Sequence, residues 1–262
     1  MGEWLAHALV KQAQEVLLID CDEARLKDVG RRLGVAHTTD IKELTWAEAF
    51  VVAVPIQRFE EVVCSLAPFT RAGQFALDLT SIKSMPVEVM HRFLPDCLVL
   101  GTHPVFGPGA ENICGQNIVL TPTRPAEQLV AERLRAYLAL QGASVSVMTP
   151  ERHDELMASV LGLAHYVAIV AGDTLLGLED FTDLVKVSGP TFRSLLSFVS
   201  SVLKEDPALY AAIQMNLPLL PDLQHQFVSR ADEWSRIAGN QDTSGFIARM
   251  SDLRQRLEQL AS

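Results

Sequence analysis

The feature that most constrains this chain is a change of period. Up to residue 147, short continuous apolar runs alternate with amphipathic segments; after Thr149-Pro150 only helical spacing remains. The runs are residues 15–20 (EVLLID), 49–54 (AFVVAV), 74–79 (QFALDL), 97–101 (CLVLG), 117–120 (NIVL) and 143–147 (ASVSV). Runs this short, apolar throughout rather than alternating, suit parallel strands covered on both faces. Between them, residues 22–33 open on acids and stop before Gly34. Residues 127–141 carry Val130, Leu134, Tyr137 and Leu138 on one face and stop before Gly142. Acids at a helix start and glycine past its end favour both helices. The alternation predicts an α/β domain with a doubly wound parallel sheet over residues 1–148. An all-helical domain over residues 149–262 follows, opened by Thr149 as N-cap and Pro150 in the first turn.

In the helical half, Leu220, Leu223, Phe227 and Trp234 form one stripe, and Phe246, Met250, Leu253, Leu257 and Leu260 another. Either stripe serves an intramolecular core or a dimer interface. The most apolar run, residues 159–178, contains His165 and Asp173, which suits a buried helix better than a membrane span. A net charge of −10 argues against non-specific nucleic-acid binding or anionic membranes, so an anionic substrate would need a local basic pocket. The four cysteines, Cys21, Cys64, Cys97 and Cys114, have no CxxC spacing, and no His/Cys cluster suggests a metal. They read as reduced, mostly core thiols of a cytoplasmic protein, and Glu3 and His7 interrupt any signal-like apolar start.

A dinucleotide-binding, Rossmann-type unit runs strand, GxGxxG, helix, strand, acid. Here Gly2 precedes an amphipathic segment (residues 3–12), and Asp20 ends the strand that follows. Gly2 takes the place of the last fingerprint glycine, and Asp20 that of the carboxylate that binds the adenosine ribose. An acid there favours NAD over NADP by repelling the extra phosphate. The first strand and two glycines are absent, which leaves the expectation of a start truncated relative to the functional protein. Val54 and Pro55, closing the next strand, are further cofactor-contact candidates.

Two segments carry chemistry: DLTSIK (residues 78–83) and GTHPVFGP (residues 101–108), each after a strand. Ligands bind at strand C-terminal ends in open α/β sheets, so Ser81, Lys83 and His103 converge on one crevice. His103, between Thr102 and Pro104, reads as held in a stiff loop and as functional. Ser81 reads equally as a helix N-cap or a site residue, and Lys83 as a ligand or a solvated charge.

These two segments resemble those of prephenate dehydrogenases. The resemblance continues through GQNIVLTP (residues 115–122), His153-Asp154 with His165 twelve residues on, SGPTFRSLL, and EDPALYAAI (residues 205–213). It implies NAD-dependent oxidative decarboxylation of prephenate to 4-hydroxyphenylpyruvate in tyrosine biosynthesis by a homodimer, with arogenate or an amino analogue as alternative substrates. A non-catalytic binding protein descended from such an enzyme is the remaining alternative. His103 would accept the hydrogen bond of the C4 hydroxyl and Ser81 would orient His103 and the nicotinamide. Lys83, His153, His165 and Arg193 would bind the substrate. Each of the last three has an ordinary reading too: a core histidine, or a surface ion pair for Arg193. On a straight helix His153 and His165 would stand about 18 Å apart, too far to hold one small substrate together. The helix is therefore broken, or the two histidines have different roles.

Overall fold

The computed structural model describes residues 1–12 and 15–261. Helix α1 (Gly2–Val10) leads into β1 (Leu17–Ile19), α2 (Glu23–Leu33), β2 (Ala36–Thr38) and β3 (Ala49–Val52). Then come α3 (Ile56–Leu66), β4 (Phe75–Asp78), α4 (Ser84–Phe93), β5 (Leu98–Pro104), β6 (Asn117–Thr121), α5 (Pro125–Leu140) and β7 (Ser144–Val147). Local chemistry sets the ends of α2: the Asp22 carboxylate accepts from Arg25 N, and Gly34 closes the helix in the left-handed region.

The strands form two sheets. β1 and β2 pair in parallel as a two-stranded unit, and the other five lie in the order β3-β4-β5-β6-β7. The expected wholly parallel sheet needs one correction: β6 runs antiparallel to β5, while the remaining neighbours are parallel. The strand β2 was not foreseen, because AHT is short and polar. The main core of the sheet packs Phe59 and Val63 of α3 and Met90 of α4 against Val52, Ala76 and Val99.

Beyond β7 every described element is helical. α6 (Pro150–Met157), a π turn (Ala158–Leu163) and α7 (Ala164–Leu176) form one continuous rod. Then follow α8 (Phe181–Lys186), α9 (Pro190–Leu203), α10 (Pro207–Asn216), α11 (Leu220–Gly239) and α12 (Thr243–Ala261). Thr149 caps α6 by accepting from Arg152 N, with Pro150 in the first turn. The rod is long and apolar enough to cross a membrane by length and composition. Its first turns bury His153 and Asp154 against the sheet domain, but of residues 159–178 only Gly162, Ala168 and Gly172 are buried, so the buried helix expected there is not met within this chain. A second core, of Ile82, Met157, Ala158, Ile213, Leu217 and Leu220, bolts the two halves together. Of the C-terminal stripes, Leu220 is fully buried, whereas Met250, Leu253, Leu257 and Leu260 stay exposed on α12.

Candidate active site

β5 is built in two halves. Residues 98–100 pair with β4; residues 101–104 run past the end of β4 and pair with β6, with His103 opposite Val119. His103 therefore sits in a strand and not in the stiff loop expected from its neighbours. The ladder, more than Pro104 or the glycines, fixes its backbone. Gly101 permits the close packing here. A Cβ at that position would come within 2.2 Å of the Thr121 hydroxyl and 2.7 Å of Val87.

His103 is almost wholly buried, and its Nδ1 lies 2.8 Å from Nε2 of His153. His153 Nδ1 lies in turn 2.7 Å from Asp154 Oδ1. Nε2 of His103 has no hydrogen-bond partner among the described residues, nor is it among the sealed, unsatisfied atoms. Burial, then the neighbouring His153 and Lys83, hold His103 well below the usual histidine pKa, so it is neutral at physiological pH. Burial pulls the Asp154 carboxyl upward, but hydrogen bonds from His153, Ser84 and Lys83 outweigh this and hold it below its ordinary value.

Two expected substrate ligands are corrected by this geometry. His153 is fully buried and both its ring nitrogens are engaged, so it serves His103 from behind. Lys83 is also fully buried. Its ammonium pairs with Asp78 and donates to Thr80 Oγ1 (3.1 Å) and the Thr102 carbonyl (2.8 Å), which uses all its protons. Burial lowers its pKa, and Asp78 opposes that shift. Asp78 also accepts from Thr80 N at 2.9 Å and Thr102 N at 3.2 Å. This knot ties the end of β4 to the residue before His103.

Ser81 is not the N-cap of α4. α4 is capped at Lys83, and among the described residues no hydrogen bond joins Ser81 to His103, whose Nδ1 meets His153. The Ser81 hydroxyl is half-buried and has no protein partner among the described residues, so it is available to a ligand.

His165 lies further along the rod. Twelve residues on an unbroken α-helix leave two side chains about a third of a turn out of phase; one π turn absorbs about one residue and restores the face. The rod is thus continuous but rephased, an outcome between the two expected. The His165 ring meets Tyr210 edge-on at 4.4 Å between centroids, and its Nδ1 is buried without a partner among the described residues. Burial lowers its pKa to about 4. Arg193, in the first turn of α9, is exposed, its Nε 3.3 Å from the Ser188 hydroxyl.

The nucleotide candidates lie at the C-terminal ends of β1 and β3. A Cβ on Gly2 would lie 3.1 Å from that of Ala53, so α1 starts hard against the end of β3, next to Val54 and Pro55. Asp20 is exposed; one oxygen accepts from Asp22 N at 3.0 Å and the other has no partner among the described residues. A small residue at a helix start and an unspent carboxylate at the next strand end fit a dinucleotide. Trp4 of α1 donates to the Ala110 carbonyl at 2.6 Å and packs edge-on against Phe106, clamping the loop after His103.

Sequence reading missed Trp4, Asp78 and the role of Asp154. The only signal for Asp154 was its place beside His153.

The chain matches the family profile "Prephenate dehydrogenase, nucleotide-binding domain" over residues 5–147 and "Prephenate dehydrogenase, dimerization domain" over residues 149–252. It is 32% identical over 256 residues to the "Probable arogenate/prephenate dehydrogenase" of Methanocaldococcus jannaschii, covering 96% of this chain and 57% of that protein. It is 28% identical to the T-protein of Enterobacter agglomerans, covering 81% and 56%. The chain thus spans little more than half the length of these relatives. Among solved structures it resembles the prephenate dehydrogenase from A. aeolicus in complex with hydroxyphenyl propionate and NAD+ (TM-score 0.81, 19% identity, 99% and 94% covered). It also resembles the Synechocystis arogenate dehydrogenase (TM-score 0.75, 20% identity, 99% and 96% covered). With both family profiles matched in order across nearly all its length, and the expected two-part fold beneath them, this chain belongs to the prephenate dehydrogenase family.

Proposed function

We propose that this protein catalyses the NAD-dependent oxidative decarboxylation of prephenate to 4-hydroxyphenylpyruvate, with arogenate as the competing substrate. The observation that carries the reading is the single free nitrogen of His103, neutral and braced from behind, at the end of a strand. Gly2, Val54 and Pro55 would hold the dinucleotide and Asp20 its ribose diol. NAD, when bound, supplies the hydride acceptor. His103 Nε2 accepts the hydrogen bond of the C4 hydroxyl. As the C4 hydrogen leaves as hydride, the O–H pair becomes the second C–O bond and the proton moves to Nε2. Loss of the ring carboxylate as carbon dioxide leaves its electron pair in the ring, and the oxygen takes the proton back as a phenol. The proton is lent and not consumed.

Ser81 contacts the nicotinamide end, and its unspent hydroxyl supports that role. His165, rephased toward the His153 side of the rod, and the exposed Arg193 meet the substrate's carboxylates or polar groups. The relatives' names cover both prephenate and arogenate, which share the reacting C4 centre. A homodimer joined through the helical half is supported by the dimerization-domain match and by the exposed stripe of α12. The protein acts in the cytoplasm, a reading supported by its free cysteines, of which Cys97 alone is buried and Cys21, Cys64 and Cys114, against the expectation of core thiols, are exposed. A family member that binds without turnover is favoured by one observation, the separation of the β1–β2 pair from the five-stranded sheet.

The test is to follow reduced cofactor with prephenate or arogenate, each with NAD and NADP. Reduction with NAD supports the reading and the preferred acid names the substrate. No reduction, with NAD binding retained in calorimetry, favours the non-catalytic member.

A further inference from the structure

The carboxylate of Asp154 sits at the start of α4. Oδ1 accepts from Lys83 N at 2.7 Å and Oδ2 from Ser84 N at 2.9 Å. Two backbone donors at a helix N-terminus call for an ionised acceptor, so Asp154 has no proton to give. His153 Nδ1, 2.7 Å from Oδ1, must then be the protonated nitrogen of its ring. A neutral His153 ring then carries its lone pair on Nε2, and this atom faces His103 Nδ1 at 2.8 Å. His103 Nδ1 must donate, and a neutral ring that donates from Nδ1 has a bare Nε2. The helix start thus selects the tautomer of a ring two hydrogen bonds away.

We propose that Asp154 and His153 are positioning residues that fix His103 in the tautomer whose bare Nε2 meets the substrate, and that they carry away the charge formed there. When Nε2 gains a proton, the Nδ1 proton passes to His153 Nε2. His103 is then neutral again, and the positive charge rests on His153 beside the Asp154 carboxylate. One proton enters the line and one moves along it; Asp154 stays ionised throughout. The device answers a conflict in the site: burial makes His103 a poor base, and a carboxylate at one remove stabilises the cation without occupying the reacting nitrogen. The other charges near this line are the Lys83 ammonium, tied to Asp78, and Asp78 itself. The substrate comes from the function proposed above, but the tautomer does not depend on it.

The test pairs imidazole nitrogen NMR near neutral pH with steady-state kinetics, on the whole chain and on Asp154→Asn. The wild-type spectrum, assigned by difference from His103→Asn, should show His103 protonated at Nδ1 and bare at Nε2. In Asp154→Asn the neutral amide no longer holds the His153 ring by charge, and the share of His103 bare at Nε2 should fall. kcat should fall on the order of 10²- to 10⁴-fold while KM for NAD stays within about twofold. A structural role alone would lower the melting point and leave the tautomer in place. A wild-type His103 protonated at Nε2 overturns the proposal, and this readout stands even if Asp154→Asn does not fold. An active wild type whose Asp154→Asn variant folds and keeps both kcat and tautomer overturns it as well. A wild type that oxidises neither prephenate nor arogenate refutes the proposed function, and the two spectra then decide the tautomer on their own.

Discussion

His153 Nε2 stands 2.8 Å from His103 Nδ1, so of the two buried rings only His103 has a nitrogen to spare. His103→Asn removes that nitrogen without touching the nucleotide candidates at β1 and β3. Turnover should drop on the order of 10²- to 10⁴-fold, with NAD affinity by calorimetry nearly unchanged. Unaltered turnover would take His103 out of the chemistry.

Lys83 is predicted to matter for folding more than for substrate affinity. Lys83→Ala strands the Asp78 carboxylate in the core, and breaking such a buried pair costs about 3–5 kcal/mol. Urea titration should show a large fall in midpoint. A loss confined to substrate KM, at unchanged stability, would restore Lys83 as a ligand.

The packing at Gly101 is tight enough to test with one methyl group. In Gly101→Ala the added Cβ must displace the Thr121 side chain and Val87, each closer than 3 Å to it. The overpacking should cost about 1–3 kcal/mol in a thermal melt. Because His103 lies two residues along the same strand, kcat should fall too, while NAD binding remains.

Acid stability should depend in part on His165. The unfolded chain protonates this ring near the ordinary histidine value of 6.5, and the folded chain only near 4. Between these values the unfolded state holds more protons, so stability is full above about 6.5 and is lost as pH falls toward 4. His103, also held low by burial, works in the same direction. His165→Gln should flatten the fall in denaturation midpoint over this window; an identical slope would mean that His165 titrates normally.

Cofactor choice is predicted to rest on the free oxygen of Asp20. Asp20→Asn removes the charge that would repel a 2′-phosphate. The ratio of kcat/KM for NADP to that for NAD should rise by about tenfold or more. An unchanged ratio would place the adenosine ribose elsewhere.

The sequence by itself determined the two-part order of the fold. Short apolar runs bounded by turn residues favour strands, and the period changes at Thr149-Pro150, where the all-helical half begins. It also marked His103, because a histidine just beyond a strand, between Thr102 and Pro104, stands where parallel sheets bind ligands. Local chemistry was enough for the caps at Asp22 and Thr149, since those hydrogen bonds span only a few residues. What the tertiary structure alone decided is which polar groups use each other up. Lys83 and Asp78 could equally have faced solvent, and His153 could have met a substrate. Only the docking of α6 against the start of α4 brings Asp154 to the Lys83 and Ser84 amides, seventy residues away in the chain. The antiparallel entry of β6 has the same origin, for strand direction is fixed by long-range pairing and leaves no mark on an apolar run. Hydrophobic pattern is a local property that one segment carries alone; the satisfaction of buried charge belongs to pairs of segments, and it appears only when they meet.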